Sequence, residues 1–396
     1  MRIEIPRDFE RIGALQIFGL QKVYELDSGP GRRERDSMIE RLPSDTLYDI
    51  MREMAIVVPV KEERLKLIEG VLVGIPSPCQ VILVSNSARS PIDRFHMEQE
   101  TMENFSRFTD KKVLVVHQKD PTLARAFAEA GYSEILDDDG LVRSGKAEGM
   151  IMGTLMAKWL GKKYLGFVDS DNYLPGAVHE YVKEYAAGFA MNPGAKTFVR
   201  ISWHSKPKIV ESNLFFAKWG RSSVHSNHIL NRLLTNITGF ETEIVKTGNA
   251  GEHALTLDLA LTLEYAAGYA VETHHFINLL QEYGGIDRPP RNLRPGERVT
   301  LCQIESRNPH MHASKGDDHV EDMIDASLSV IYHSRLCPAS LKAEIMANIR
   351  MRRGDNAPAE PFPMRIYPAL SQIDLPTFFE RWQAGFRRHS PVVGSS

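Results

Sequence analysis

Residues 164–173 read Tyr-Leu-Gly-Phe-Val-Asp-Ser-Asp-Asn-Tyr, an apolar run that stops at two carboxylates separated by one residue. Aromatic and branched residues in a run of this length predict a buried β-strand. Side chains alternate along a strand, so we expect Asp169 and Asp171 to leave its end on the same side. Paired oxygens of this kind suit a hard divalent cation, whose remaining ligands are often substrate phosphates. The alternative is that these acids only cap a helix that begins near Pro175.

Further apolar segments predict a sheet around this strand. They cover residues 54–60, 80–84 and 112–117, and helical patterns lie between them. Strands that are apolar throughout and alternate with helices are typical of an α/β fold with a mainly parallel central sheet flanked by helices. Ligands of such sheets bind beyond the carboxyl ends of the strands. We therefore expect the polar residues that follow the strands to share one edge, namely Glu62, Glu63, Ser85, Asn86 and residues 169–172.

The overall composition excludes several classes of protein. The chain has 396 residues, of which 42% are hydrophobic and 25% charged, as in ordinary folded proteins. A formal net charge of −3 provides no field that would favour nucleic acid or an anionic membrane as partner. The three cysteines form no Cys-x-x-Cys pair. Since no long apolar segment is present either, we expect a cytoplasmic protein with no nucleic acid and no membrane partner.

The chain is expected to divide into three segments. Residues 1–53 hold short apolar pieces around a charged loop rich in Gly and Pro, and they predict an N-terminal extension packed on the core. Residues 54–275 carry the alternating strands and helices together with the acidic motif, and they predict the core. Residues 276–396 contain two helical patterns and a Pro-rich tail, and we expect them to complete the metal and acceptor site.

A glycine-containing segment at residues 140–149 precedes an apolar helix predicted for residues 150–160. Glycines at the start of a helix let backbone N–H groups approach a phosphate, and Lys146 adds a positive charge there. The spacing is not that of a P-loop, so hydrolysis of a nucleoside triphosphate is not indicated. An ordinary loop with a surface lysine is the alternative interpretation.

Two histidines, His310 and His312, lie two residues apart near the end of residues 305–312. If this segment is extended, both imidazoles face one side, and neutral imidazole is a frequent ligand of transition metals. Together with an Asp-x-Asp motif, such a histidine would suit Mn²⁺ better than Ca²⁺. Isolated histidines are more often structural, which is the alternative here.

Basic residues follow the acidic motif along the chain. Arginine binds phosphate or carboxylate with a planar fork, and Gly220 beside Arg221 permits close approach of the backbone. The alternative is a solvated basic face that balances neighbouring acids. The members of this basic cluster are Lys206, Lys208, Lys218, Arg221 and Lys246.

Several short blocks occur in an order that resembles the mannosyl-3-phosphoglycerate synthase family over roughly residues 1 to 370. The blocks are Val-Pro-Val-Lys-Glu-Glu at 58–63, Val-Ser-Asn-Ser at 84–87, Ser-Gly-Lys-Ala-Glu-Gly at 144–149, Asp-Ser-Asp-Asn at 169–172, Trp-Gly-Arg at 219–221, Asn-Ala-Gly-Glu-His at 249–253 and Asn-Pro-His-Met-His at 308–312. The resemblance implies a GT-A nucleotide-diphospho-sugar transferase fold with residues 54–275 as its core. It also implies transfer of mannose from GDP-mannose to 3-phosphoglycerate with retention of configuration, giving the precursor of the compatible solute mannosylglycerate.

The same resemblance implies roles for individual residues. The donor would be bound by Pro59, Lys61, Glu63, Ser85, Asn86, Lys146, Asp169 and Ser170. A divalent metal, Mg²⁺ or Mn²⁺, would be held by Asp171, with Asp169 and either His310 or His312. By similarity to the related glucosyl-3-phosphoglycerate synthases, the acceptor would be bound by Gly220, Arg221, Ser223 and Asn249. Asp169, Glu252 and Lys146 would be the catalytic residues.

Other functions stay open at this point. A glucosyl-3-phosphoglycerate synthase, or an enzyme that accepts both donors, would use the same motifs. A metal-dependent sugar-phosphate phosphatase would use the paired aspartates and histidines differently and would need no nucleotide. A binding protein without activity is less consistent with an open metal position. The resemblance also leaves a homodimer open.

Overall fold

The computed structural model describes residues 1–172, 174–210, 213–218, 220–290, 293–311 and 317–389. The strands in these residues are β1 (Arg2–Glu4), β2 (Phe9–Ile12), β3 (Leu15–Glu25), β4 (Glu34–Arg35), β5 (Ile39–Arg41), β6 (Met54–Val60), β7 (Gln80–Ser85), β8 (Val113–His117), β9 (Tyr164–Phe167), β10 (Lys196–Ser202), β11 (Lys206–Val210), β12 (Asn213–Ala217), β13 (His253–Thr256), β14 (Tyr265–Ala266), β15 (Val299–Glu305) and β16 (Ile366–Tyr367).

The α-helices of the same residues alternate with these strands through the middle of the chain. They are α1 (Ser44–Arg52), α2 (Leu65–Gly74), α3 (Arg94–Phe108), α4 (Pro121–Glu129), α5 (Lys146–Trp159), α6 (Pro175–Met191), α7 (Arg221–Thr238), α8 (Leu257–Thr262), α9 (Val271–Tyr283), α10 (Asp317–Tyr332), α11 (Ala339–Arg353) and α12 (Leu375–His389). No helix in the described part of the chain combines the length and the apolar character needed to cross a membrane.

One mixed sheet organises the molecule. Its strand order is β4-β5-β1-β3-β15-β10-β13-β9-β6-β7-β8, and β2 pairs with β3 outside this path. Strands β9, β6, β7 and β8 are parallel neighbours, and so are β3, β15 and β10. Between these two parallel groups lies β13, which runs antiparallel to both β10 and β9. The α/β fold predicted from the sequence is confirmed, and the reversed strand β13 is the feature that the sequence did not indicate.

The sheet is covered by hydrophobic clusters on its two faces. Along β6, Ala55 and Val57 belong to one cluster, while Ile56 and Val58 belong to the other. Neighbouring side chains of a strand point to opposite faces, so an uninterrupted apolar run is what a strand buried on both sides requires. Each such side chain contributes about 1.5–3 kcal/mol when fully buried.

Two helices that lead into the site pack very closely on the sheet. A Cβ atom at Gly153 of α5 would lie 2.5 Å from Val57 of β6. A Cβ atom at Gly188 of α6 would lie 2.4 Å from Val199 of β10. Glycine is therefore required at both positions for close approach of helix to strand. These contacts fix α5 and α6 against opposite faces of the sheet, because Val57 and Val199 belong to different clusters.

Most predicted elements occur with small shifts at their ends. The apolar helix predicted for residues 150–160 begins earlier, at Lys146, because its polar first turn lacks the periodicity used to find it. The proposed segments 1–53, 54–275 and 276–396 all contribute strands to the one sheet, through β3, β6 and β15 respectively. Their boundaries stay a prediction.

Candidate active site

The carboxyl edge of the sheet, where β6, β7, β8, β9, β10 and β15 end, gathers the predicted polar residues. Parallel strands end on the same side, so residues that follow them become neighbours. The reversed strand β13 begins at this edge, because it runs antiparallel to β9 and β10. Glu252, which precedes β13, is thereby brought to the same edge as Asp169, which follows β9. A residue that precedes one strand and a residue that follows another lie at the same edge here because β13 is antiparallel to β9.

Lys146 is the first residue of α5 and lies between two acids. Its Nζ atom is 2.6 Å from Oδ1 of Asp169 and 2.8 Å from Oε1 of Glu272 on α9. Burial lowers the pKa of Lys146, but the two carboxylates outweigh this effect and hold the pKa well above its ordinary value. The lysine is therefore a fixed positive charge at the carboxyl edge.

The loop before Lys146 is attached to the sheet by Gln118, which follows β8. Its Nε2 atom donates to the carbonyl oxygens of Arg143 at 2.5 Å and Gly145 at 3.2 Å. Ser144 in the same loop donates to Oδ1 of Asn86 at 3.4 Å. These bonds hold the start of α5 beside the ends of β7 and β8. The predicted phosphate-binding loop thus contacts Asn86, one of the predicted donor-binding residues.

Glu252 is completely buried at the carboxyl edge. Its Oε2 atom accepts a hydrogen bond of 2.8 Å from Nε1 of Trp203, and its Oε1 atom lies 3.4 Å from Nδ2 of Asn172. Burial raises the pKa of Glu252 to about 8, and the nearby charge of Asp169 adds to this shift. A carboxyl with such a pKa is mostly protonated near neutral pH. Strongly shifted pKa values of this kind are frequent in functional sites.

Gly251 brings the segment before β13 against the acidic motif. A Cβ atom at this position would lie 2.7 Å from Oδ2 of Asp169 and 3.5 Å from Nζ of Lys146. Only glycine allows this approach without displacing a side chain. At the other end of the segment, Nδ2 of Asn249 donates to Oγ of Ser222 at 3.2 Å. Residues 249–252 therefore connect the predicted acceptor residues with the predicted catalytic ones.

His310 is buried beside the acidic motif, although 138 positions separate it from Asn172. Its Nδ1 atom lies 3.4 Å from Nδ2 of Asn172, 3.4 Å from the hydroxyl of Tyr181 and 3.9 Å from Oε1 of Glu252. Its ring stacks on Trp203 with centroids 4.1 Å apart and an interplanar angle of 16°. His312, the other histidine of the motif, lies outside the described residues.

The backbone before His310 is held by a buried carboxylate on α6. Glu180 is fully buried, and its Oε1 atom accepts from the N–H of Arg307 at 2.6 Å. Its Oε2 atom accepts from the backbone N–H of Asn308 at 2.9 Å and from the side-chain Nδ2 of Asn308 at 2.6 Å. The helix that follows the acidic motif thus also positions the segment that carries His310.

The candidate metal ligands form an incomplete protein site. In the part of the chain that the structure describes, no group of three His, Cys, Asp or Glu side chains is gathered closely enough to hold a metal ion. Asp171 is buried, and its neighbour Asn172 contacts His310. The N-cap of α6 is Leu174, which makes no side-chain capping hydrogen bond, and Asp169 is bonded to Lys146. The interpretation that the two acids only cap this helix is therefore wrong for Asp169.

The predicted donor residues lie at the ends of β6, β7 and β9. The register pairs the last residue of β6, Val60, with Ser85, which is fully buried. The backbone N–H of Lys61 donates to Oε2 of Glu63 at 2.5 Å. Pro59 and Asn86 adjoin these residues along the chain, and Ser170 follows Asp169 after β9.

The turn after β6 has an unusual backbone at Glu62, with a φ of +62°. A left-handed conformation at a residue other than glycine costs about 1 kcal/mol or more and persists where neighbours enforce it. Here the N–H of Glu62 donates to Oγ of Ser87 at 2.9 Å, and its Oε1 atom accepts from the N–H of Ala88 at 2.6 Å. The turns after β6 and β7 are thereby joined.

The predicted acceptor residues lie at the start of α7, an 18-residue helix. Gly220 is the N-cap and Arg221 the first helical residue, while Ser223 is buried in the first turn. Unpaired N–H groups and the helix dipole make such a start favourable for an anion. Trp219, which completes the Trp-Gly-Arg block, lies outside the described residues.

The members of the basic cluster have different contacts. Lys218 pairs with Glu305 at 2.5 Å, and Lys246 pairs with Glu243 at 3.1 Å. Lys206 lies with its Nζ atom 3.8 Å from the ring centroid of Trp203. The side chain of Lys208 is outside the described part of the structure. The alternative of a basic face paired with neighbouring acids thus holds for Lys218 and Lys246.

Three residues at the site, Trp203, Glu272 and Glu180, were not predicted from the sequence. Trp203 follows β10 directly, and the rule that picked the residues after the other strands could have found it. Glu272 lies inside α9 and Glu180 inside α6, where no local pattern marks them. Their positions depend on how the helices pack on the sheet.

Comparison with known proteins identifies the family. A family model described as mannosyl-3-phosphoglycerate synthase matches residues 5–382. The chain is 42% identical to the mannosyl-3-phosphoglycerate synthase of Pyrococcus furiosus, with 99% of each chain covered. It is 35% identical to that of Aeropyrum pernix, with 92% of this chain and 94% of the relative covered.

Solved structures of glucosyl-3-phosphoglycerate synthase from Mycobacterium tuberculosis are more distant. The complex with phosphoglyceric acid is 15% identical, with a TM-score of 0.49, and the match covers 79% of this chain and 88% of that one. The complex with Mn²⁺, uridine diphosphate and glucosyl-3-phosphoglycerate is 16% identical, with a TM-score of 0.48, and the match covers 80% and 90%.

The family match extends over nearly the whole chain and includes every block that the sequence analysis compared. It agrees with the predicted glycosyltransferase activity. The chain belongs to the mannosyl-3-phosphoglycerate synthase family.

Proposed function

We propose that this protein transfers mannose from GDP-mannose to 3-phosphoglycerate with retention of configuration, using the carboxyl edge of the sheet as its active site. The observation that carries the proposal is the meeting of Lys146, Asp169 and Glu252 from three separate segments. The assignment of the sugar and the acceptor is based on the names of the two relatives, which are both mannosyl-3-phosphoglycerate synthases.

Asp171 and His310, with Asp169 near them, would hold a divalent metal, Mg²⁺ or Mn²⁺. One carboxylate and one imidazole form a donor set that suits Mn²⁺, and Mg²⁺ is commonly bound by one or two carboxylates together with substrate phosphates. A site completed by the diphosphate of the donor needs no third protein ligand, so the pair fits this role. When bound, the metal would supply Lewis-acid stabilisation of charge on the leaving diphosphate.

Lys146 is suited to the same leaving group. An ammonium has three N–H donors, and Asp169 and Glu272 accept two of those of Lys146. We assign the third donor to an oxygen of the diphosphate. Because Lys146 is held from two sides, its charge needs little reorganisation when negative charge develops during the reaction.

The transfer step is proposed to occur on the front face of the sugar. The bond from C1 to the diphosphate oxygen breaks, the acceptor hydroxyl bonds to C1 on the same face, and its proton moves to the departing diphosphate. A retaining glycoside hydrolase would instead need a carboxylate nucleophile and a carboxylic acid about 5 Å apart. Glu252 has a raised pKa and is held by Trp203 and Asn172, which suits stabilisation of the sugar better than attack.

The acceptor is itself an anion, which suits the start of α7. Arg221 presents a planar fork for the phosphate or carboxylate of 3-phosphoglycerate, and N–H groups near Ser223 add further donors. Asn249 joins this helix to the segment that contains Glu252. The contact allows the acceptor hydroxyl to be oriented toward the sugar.

A product assay tests the proposal directly. GDP-mannose, GDP-glucose and UDP-glucose are each incubated with 3-phosphoglycerate, with and without Mg²⁺ or Mn²⁺, and the products are separated and examined by NMR. We expect α-linked mannosyl-3-phosphoglycerate from GDP-mannose when metal is present. Preferred use of either glucose donor would contradict the sugar assignment, and trapping of a glycosylated Glu252 would contradict the front-face step.

A further inference from the structure

Trp203 contacts two residues that have a role in the proposed function, Glu252 and His310, and one further residue, Lys206. Its indole Nε1 atom donates to Oε2 of Glu252 at 2.8 Å, and its ring stacks on His310 at 4.1 Å. The Nζ atom of Lys206 lies 3.8 Å from its ring centroid. Trp203 is the first residue after β10, so the position of its Cα atom is fixed by the sheet.

The contacts of the indole with Glu252 and His310 are of different kinds. The hydrogen bond reaches a fully buried carboxyl, which also has a longer contact of 3.4 Å with Nδ2 of Asn172. Loss of one partner of a buried polar group costs the desolvation of the group that remains. The stacking contact depends on ring shape instead, since the planes of the Trp203 and His310 rings are nearly parallel, with an interplanar angle of 16°. A substitution can therefore remove one contact and keep the other.

We propose that Trp203 is a positioning residue for this reaction, which orients Glu252 through its indole N–H and orients His310 through its ring. The inference rests on the proposed function, because it assumes that Glu252 serves the sugar and His310 serves the metal. Groups that hold metal ligands and catalytic carboxylates in place commonly affect activity or metal affinity by about 10- to 100-fold. Lys206 joins the acceptor side to the same indole, since a Cβ atom at Gly220 would lie 3.4 Å from Cδ of Lys206.

Two variants separate the two contacts. Trp203→Phe keeps an aromatic ring against His310 and removes the N–H, whereas Trp203→Leu removes both. We expect Trp203→Phe to lower kcat about 10- to 100-fold while the Mn²⁺ dissociation constant stays within about twofold of the wild-type value. We expect Trp203→Leu to lower kcat at least as much and also to raise the Mn²⁺ dissociation constant about 10-fold. Free Mn²⁺ is measured by electron paramagnetic resonance with GDP present, which reports metal binding without turnover.

Trp159→Phe serves as the matched control. Trp159 lies at the end of α5 and packs edge-on against Trp382, with centroids 4.8 Å apart. Thermal unfolding of all variants is followed by circular dichroism. The control is expected to lower the unfolding temperature and to leave kcat and Mn²⁺ binding unchanged. If Trp203→Leu does not fold, Trp203→Met takes its place, because methionine fills more of the indole volume.

The outcomes are distinct. If Trp203→Phe keeps a kcat within about twofold of wild type, the indole N–H does not position Glu252 and the inference is overturned. Wild-type Mn²⁺ affinity in Trp203→Leu overturns it as well, because the ring would then not position His310. If the wild-type protein makes no mannosyl-3-phosphoglycerate, the proposed function fails before the variants are compared.

Discussion

The proposed donor side and the proposed acceptor side of the site are built in different ways. The donor side consists of residues at the ends of β6, β7 and β9 and at the start of α5, all anchored to parallel strands. The acceptor side consists of the start of α7 and residues 249–252, which depend on a helix end and on a reversed strand. On the donor side Lys146 is held by two acids, whereas Arg221 on the acceptor side is exposed.

This difference indicates how each side contributes to activity. Groups that are already buried and paired need little rearrangement, so they are suited to stabilising charge in the transition state. An exposed arginine at a helix start is suited to binding an anion and giving it an orientation. Donor-side substitutions should therefore affect kcat most strongly, and acceptor-side substitutions should mainly affect the KM for 3-phosphoglycerate.

The largest effect is expected for Asp171→Ala on the donor side. Loss of a proposed metal ligand should lower kcat at least about 1,000-fold, because charge on the leaving diphosphate is no longer stabilised. Calorimetric binding of 3-phosphoglycerate should remain near the wild-type value. Asp355→Ala, on an exposed turn after α11, is the control for loss of a carboxylate. Appreciable turnover by Asp171→Ala would remove the metal role assigned to this residue.

Glu252→Gln tests the residue at which the two sides meet. We expect kcat to fall about 100-fold, because the carboxyl can ionise and stabilise positive charge that develops on the sugar, whereas the amide cannot ionise. Steady-state kinetics with each substrate measures the change, and the KM values should change little. If kcat is unaffected, the carboxylate does not act on the sugar and the two sides are joined in another way.

The same variant carries a prediction for stability. The pKa of Glu252 is raised from 4.5 to about 8, so the folded protein binds a proton that the unfolded chain releases between these values. The free energy of unfolding contributed by this group therefore falls as pH rises from about 4.5 towards 8. Glu252→Gln has no such group, so its unfolding temperature should exceed that of wild type increasingly as pH rises. Scanning calorimetry at several pH values measures this difference, and a constant difference would contradict it.

Arg221→Ala tests the acceptor side. We expect the KM for 3-phosphoglycerate to rise about 10- to 100-fold with a much smaller change in kcat, because a charge-assisted contact to the acceptor is lost. Binding of GDP, measured by calorimetry, should be unchanged. Lys246→Ala is the matched control, since Lys246 is paired with Glu243 and belongs to the same basic cluster. An equal effect of both variants would show that general positive charge, and not the start of α7, attracts the acceptor.

The smallest effect is expected for Glu180→Gln, which acts on the backbone before His310. The amide can no longer accept from both Arg307 and Asn308, so the segment that carries His310 should loosen. We expect the metal concentration for half-maximal activity to rise about 10-fold, with kcat recovering at high metal. Glu264→Gln is the control for loss of a partly buried carboxylate, since Oε2 of Glu264 accepts from Nδ2 of Asn278 at 3.1 Å, outside the segment that carries His310. A loss of kcat that excess metal does not restore would contradict this role of Glu180.

The sequence by itself determined the parallel strands and the residues directly after them. Apolar runs such as those ending at Val60 and Ser85 identify buried strands, and the ends of parallel strands share one edge. This reasoning was sufficient to predict Glu63, Asn86 and Asp169 as neighbours. The resemblance to a known family added Glu252 and the acceptor residues.

Only the tertiary structure decided how the remaining groups meet. The direction of β13 places Glu252 at the carboxyl edge, and short apolar strands do not encode their direction in their own pattern. Glu272 and Glu180 reach the site from the interiors of helices, where a buried acid has no local signature. Their contacts arise from packing between segments far apart in the chain, and no periodicity within one segment can report such contacts.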